Sequence, residues 1–300
     1  MNKEKTYHRG IWLGLGAYGA WGVLPLYWKS LGTVPALEIL ANRVFWSLVF
    51  MLLLLMSQKK LGSAYQETRA IFRNRRQALT LLGGSLTITV NWGLYIWAVN
   101  AGHIIETSMG YYINPLVSVL LGVFCLGEKL DRWTHASVLL AAAGVGLMLV
   151  HVGVFPWISV GLALSFGLYG LIKKTLVVTT TTGILLETLM ITPIALVYLY
   201  TSADYALWGG QQGGLVTSLL LMGAGVVTAL PLLLFTAGAK LLPLSVLGFL
   251  QYVSPTLTLL LGIFVYKETF THQHLLSFGC IWAALAVFSV GQLRKSTLAS

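Results

Sequence analysis

Charge is what this sequence has least of. Asp, Glu, Lys and Arg make up 9% of its 300 residues, and only nine of them are acidic, whereas a soluble domain carries roughly 25%. So few ions cannot solvate a cytosolic enzyme or keep a disordered chain extended. The only aspartates, Asp131 and Asp204, lie outside the apolar runs, so the paired acids of membrane aspartyl proteases and lipid-linked glycosyltransferases are missing. Cysteine is nearly absent too. Cys125 and Cys280 each sit inside an apolar run and read as small core residues, with neither disulfide nor zinc-site spacing. Neither G-x-x-x-x-G-K-[ST] nor H-E-x-x-H occurs, and His272-Gln273-His274 offers two imidazoles at i, i+2, a poor metal site. Catalysis, a resident cofactor and a bound metal are therefore not expected.

What the chain does have is apolar length. It is 57% hydrophobic with a mean hydropathy of +0.80, as expected of a polytopic membrane protein solvated by lipid. A helix crossing the hydrocarbon needs roughly 20 apolar residues. On that ruler ten spans fall near 10–28, 35–57, 78–99, 104–126, 133–152, 156–173, 182–201, 214–237, 243–266 and 273–292. The stretch from Ile11 to Trp28 is longer than the apolar region of a signal peptide and no small-x-small site follows it, so it reads as the first span. Gly10, Gly14 and the glycines up to Gly22 suit close packing against another helix.

The formal charge of +10 does not point to nucleic acid, because the basic residues sit in short gaps between spans instead of on one polar face. Sixteen of the 19 Lys and Arg, from Lys3, Lys5 and Arg9 to Arg294 and Lys295, fall at one set of span ends. Lys29 and Lys267 lie opposite, and Arg43 is inside a span. This bias predicts both termini in the cytoplasm of a bacterial inner membrane. The basic stretch from Lys59 to Arg76 suits anionic lipid.

The two halves resemble each other. Tyr112-Ile113-Asn114-Pro115 matches Tyr252-Val253-Ser254-Pro255 at an offset of 140, which also pairs Gly122 with Gly262 and Glu128 with Glu268. Offsets of 149 and 148 pair Leu37-Glu38 with Leu186-Glu187 and Trp21-Gly22 with Tyr169-Gly170. The matched spans are the fourth and ninth. An odd shift of five inverts the second copy, so residues 1–152 and 153–300 read as two inverted five-helix repeats forming one transport domain, a plan used by secondary transporters. A duplicated scaffold serving a channel or an intramembrane enzyme is the other reading.

Several segments together carry a resemblance to a known family. They are Glu38-Ile39-Leu40-Ala41-Asn42-Arg43-Val44-Phe45-Trp46-Ser47, Asn91-Trp92 with Trp97-Ala98-Val99-Asn100, the run from Glu106 to Pro115, Leu126-Gly127-Glu128, Leu186-Glu187-Thr188, and the run from Gly248 to Pro255. Over nearly its whole length the chain resembles a RarD-type permease of the EamA family, in the drug/metabolite transporter superfamily. The resemblance implies ten helices in two inverted repeats, a central cavity and transport of small organic molecules; it does not name the substrate. Lys267 stands before Glu268 where the family has glycine.

Polar residues inside the spans are the site candidates, because lipid tolerates them poorly. Arg43 lies well into the second span. Glu38, five residues earlier, is about 140° away around the helix, so the expected partners are Glu106 or Glu187 from another helix, or free carbonyls. Arg43 is either a structural ion pair or a substrate-carboxylate or gating group. Glu106, Gly110 and Asn114 form one stripe of the fourth span, and Pro115 there removes a backbone donor. Gln251, Ser254 and Pro255 repeat the device, so the two prolines read either as a hinge beside a site or as paired packing kinks. Asn91 and the tyrosines Tyr112 and Tyr252 are further cavity candidates; Trp97 reads as an interfacial anchor, and Trp21 and Tyr169 as cavity wall or core. Glu38 and Glu187 could exchange protons if held in a low dielectric. Glu128 and Glu268 are expected to organise helix ends with Lys129, Arg132 or Lys267. The resulting expectation is an alternating-access carrier of a small organic solute, with or without protons. An unselective pore or lipid flippase, and a non-transporting receptor or scaffold, remain as alternatives.

Overall fold

Why the chain folds as it does follows from the backbone: in lipid every N–H and C=O needs an internal partner, which a helix supplies within itself. The structure, a computed structural model, describes residues 3–32, 34–101, 103–152, 156–201, 204, 214–265 and 272–299. Among them every regular element is an α-helix: α1 (Lys3–Lys29), α2 (Ala36–Ser57), α3 (Leu61–Arg73), α4 (Arg75–Asn100), α5 (Ile104–Leu126), α6 (Arg132–Val152), α7 (Trp157–Thr175), α8 (Thr180–Thr201), α9 (Leu215–Leu241), α10 (Leu244–Gln251), α11 (Val253–Phe264) and α12 (His272–Ala299). Helix occupies each of the ten apolar intervals. Five stretches are long and apolar enough to cross a membrane by length and composition: Ala36–Ser57, Met109–Leu126, Thr180–Thr201, Leu215–Leu241 and Leu244–Phe264.

Two elements depart from the sequence expectation. The connection between Ser57 and Gln77 holds a helix, α3, which buries Ala64 and Ile71 and leaves most of its other residues exposed. The ninth interval is two helices, because the regular hydrogen-bond series is interrupted at Tyr252, whose N–H bonds the Phe249 carbonyl three residues back while its backbone stays in the right-handed helical region. Pro255 then falls in the first turn of α11, where its missing N–H costs no helical bond. Pro115 is instead carried inside an unbroken α5, so the two matched prolines do different things to their helices.

The helices pack with α1 against α9 and α10–α11, α2 against α8 and α9, α4 and α5 against α7, α5 against α10, and α6 against α12. The α1 glycines make their contact possible: a Cβ on Gly10 would meet Leu242, on Gly14 Leu250, and on Gly22 Leu257 and the Ser254 carbonyl. Trp21 and Tyr169 are core residues, in a ring cluster with Tyr18, Phe166 and Phe235 at centroid separations of 5.4–6.1 Å. Cys125 corrects the expectation of a core cysteine. It is exposed, beside an open-sided, mainly apolar groove of about 470 Å³ between α4, α5 and α7. Cys280 is half-buried.

Candidate functional site

Arg43 sits seven residues into α2, Trp92 eight residues before the end of α4, and Tyr111 seven residues into α5. At 1.5 Å per residue all three lie about 10–12 Å from the same end of the helices, the α1–α2 end. Trp28, at the end of α1, and Trp92 place their rings 5.2 and 5.1 Å from the Arg43 guanidinium. Thr228 of α9 accepts a hydrogen bond from Arg43 Nε at 3.0 Å. Tyr95 and Tyr111, with ring centroids 6.1 Å apart, are within electrostatic range of the same charge. Tyr111 keeps 47% of its surface and Tyr95 37%. Arg43 is half-buried beside these partly exposed rings.

The energetics of Arg43 are unusual. A guanidinium at a span centre costs roughly 2.5–3.5 kcal/mol on insertion scales. Each cation–π contact returns about 0.5–2 kcal/mol. Two indoles can therefore offset most of the cost, but they leave the charge unneutralised. No ion pair joins Arg43 to Glu106, Glu187 or any other acid among the described residues.

Both expected partners are engaged elsewhere. Glu106 Oε1 lies 2.9 Å from His103 Nδ1, and its backbone carbonyl accepts from Ser159 Oγ at 2.6 Å. Glu187 belongs to a buried cluster at the other end of the molecule: Lys173 Nζ is 2.7 Å from its Oε2, and Tyr169 Oη donates to the same oxygen at 3.0 Å. Lys173 is 1% exposed and Glu187 4%. Glu38, matched to Glu187 in the sequence pattern, is fully buried and accepts the Asp204 N–H at 3.1 Å. Asn91 joins α4 to α7, donating to the Leu162 carbonyl and to Ser165 Oγ at 3.0 Å each. Asn114 is buried and accepts from Ser118 Oγ at 3.4 Å. Gln251 is buried too, its Oε1 without a hydrogen bond among the described residues.

Tyr112 and Tyr252, matched across the repeat, meet. Tyr112 Oη donates to the Pro255 carbonyl at 3.3 Å and Tyr252 Oη to the Tyr112 carbonyl at 3.2 Å. A Cβ on Gly248 would come within 2.9 Å of the Pro115 carbonyl oxygen, so α10 lies directly on α5 at its proline. Below this contact Gly127 ends α5 with a φ of +65°, a conformation that glycine adopts without strain. That turn delivers Glu128 to the start of α10, where it accepts from the Leu244 N–H and from the N–H and hydroxyl of Ser245. Glu128 thus organises a helix end through backbone amides, with no ion pair to Lys129 or Arg132 among the described residues. Glu268 and Lys267 lie outside the described residues.

At the end that carries Glu187, side chains tie several helices together. Lys174 donates to the Leu242 carbonyl and Lys240 to the Val178 carbonyl. Glu67 of α3 accepts from Thr179 Oγ1 at 2.8 Å, and Gln77 from the Val177 N–H at 2.9 Å. Midway along α2 the helix packs closely on α9: Ser47 Oγ donates to the Gly225 carbonyl at 2.9 Å, and a Cβ on Gly225 would overlap the Trp46 backbone. Trp28, Thr228, Lys173 and Gly225 are not singled out by the sequence pattern. Lys173 had a signal, because it lies four residues after Tyr169 on the buried face of α7.

These features define a class: a multi-pass membrane protein, all-helical among the described residues, with polar groups inside its apolar helices. The EamA-like transporter family model matches residues 8–150. The chain is 50% identical over 274 residues to the "Uncharacterized transporter YojE" of Bacillus subtilis (strain 168), covering 91% of each. It is 43% identical over 288 residues to "Protein RarD" of Salmonella typhi, covering 96% of each. One solved crystal structure shares the fold with a TM-score of 0.71 at 18% identity, over 94% of this chain and 97% of the other. The chain belongs to the EamA-like transporter family, and it is a membrane transporter with RarD proteins among its relatives.

Proposed function

We propose that the protein is a secondary carrier of a small organic solute, working by alternating access through ten membrane spans arranged as two inverted repeats, residues 1–152 and 153–300, with both termini cytoplasmic. The observation that carries this reading is the contrast between the two ends: near one, Arg43 lies among aromatic rings with no acid beside it among the described residues, and across the other, lysines are bonded to backbone carbonyls. A pore would need both ends open. The hydrogen bonds from Tyr112 to the Pro255 carbonyl and from Tyr252 to the Tyr112 carbonyl tie α5 to α10–α11 at the sequence-matched segments. Pro115 and Pro255 flank that contact as the hinge, and Asn91, Glu106, Asn114 and Gln251 support the wall behind Arg43.

Glu38 and Glu187 are the candidates for coupling. Protonating Glu187 would remove the charge that holds Lys173, loosening the closed end. The test is counterflow in proteoliposomes with a panel of radiolabelled metabolites. A carrier gives saturable, stereoselective exchange, whereas flux that rises linearly with concentration contradicts it. Glu187→Gln is expected to retain exchange and lose acceleration by a pH gradient; unchanged pH-driven flux rules out this coupling route.

A further inference from the structure

We propose that the aromatic site around Arg43 selects organic anions with a flat apolar body, in effect aromatic carboxylates. This deepens the carrier reading and rests on it. Arg43 spends one of its five N–H donors on Thr228, and no carboxylate lies within ion-pair distance of it among the described residues. The two terminal nitrogens form a planar fork that matches both oxygens of a carboxylate. Glu38 accepts the Asp204 N–H and Glu106 faces His103. A cation at this site would meet a like charge, whereas an anion would complete the missing pair.

The walls narrow the class further. Trp28 and Trp92 cover the guanidinium, and Tyr95 and Tyr111 present accessible ring surface beside it. Aromatic walls favour a ligand with its own flat apolar area over a small, strongly hydrated inorganic anion. The carboxylate would pair with Arg43 while the ring of the solute lies against the tyrosines.

Purified protein in nanodiscs can be titrated with benzoate and indole-3-acetate, with benzamide as the neutral isostere, benzylamine as the cation and phosphate as the inorganic anion, reading tryptophan fluorescence and thermal stability. The carboxylates are expected to bind saturably and at least about tenfold more tightly than benzamide, which corresponds to 1.4 kcal/mol; benzylamine and phosphate should not bind. Arg43→Gln should remove that tenfold preference of the carboxylates over benzamide. Arg43→Lys keeps the charge and loses the fork, so it should retain an intermediate preference; it also serves if the glutamine variant does not fold. Equal affinity for benzoate and benzamide, tighter phosphate binding, no carboxylate binding by the wild type, or a preference that survives in the variants would each overturn the proposal. If other solutes exchange in counterflow while the carboxylates fail, only the solute class is wrong. If nothing exchanges, the carrier reading itself falls.

Discussion

Arg43 and Lys173 are both cations inside apolar helices, and the protein treats them oppositely. Lys173 is sealed, 1% exposed, and held 2.7 Å from Glu187 with Tyr169 on the same carboxylate. Arg43 is half-buried, boxed by two indoles and one hydroxyl, and has no acid beside it among the described residues. A buried ion pair fixes two helices to each other, here α7 and α8. A cation held only by ring faces is fixed in place while its charge stays available. The first arrangement suits a closed gate and the second a binding surface.

The largest effect should come from splitting the sealed pair. Lys173→Met leaves a buried carboxylate without its partner and should cost about 3–5 kcal/mol, while the double variant Lys173→Met/Glu187→Met should recover most of that. Arg43→Met, which loses two ring contacts and gains relief from desolvation, should cost much less. Thermal unfolding in detergent measures all three, and similar losses for Lys173→Met and Arg43→Met would erase the distinction between the two cations.

Next in size is the α2–α9 contact. Gly225→Leu forces side-chain volume against the Trp46 backbone and should cost about 1–3 kcal/mol while prising that seam apart. Gly19→Ala, where nothing lies within 4 Å of the added Cβ, is the matched control and should be neutral or slightly stabilising. Unfolding midpoints that coincide would show that the seam is looser than its geometry.

The smallest effect concerns the α10 cap. Glu128→Ala strips the acceptors from the Leu244 and Ser245 amides and should cost about 1 kcal/mol, whereas Glu128→Gln should cost less. Hydrogen exchange of the Ser245 amide reports it directly, and unchanged protection in the alanine variant would mean that Glu128 is not the cap.

Helix positions were legible because a span must supply about 20 apolar residues in a row, and no side-chain contact is needed to see that. α3 was not legible in the same way, since a short amphipathic helix in a basic connection satisfies no such ruler. The matched prolines show a second limit. Sequence marks both Pro115 and Pro255, but whether a proline is absorbed or begins a new helix depends on the packing of α10 on α5. Arg43 stood out as a charge in an apolar run, yet its neighbours come from α1, α4 and α9, and nothing local announces them. His103 and Glu106 were three residues apart and could have been paired from helical spacing alone. Lys173 counts among the basic residues that predict the cytoplasmic side, although its side chain turns inward to Glu187.

The most direct measurement uses Tyr111→Cys in a chain with Cys125 and Cys280 replaced by serine, labelled with a membrane-impermeant maleimide in sealed right-side-out and inside-out vesicles. If the site around Arg43 opens to one face while the Glu187 end is closed, the new thiol reacts in right-side-out vesicles and is protected in inside-out ones. Equal labelling from both faces, or labelling from the cytoplasmic face alone, would contradict that arrangement.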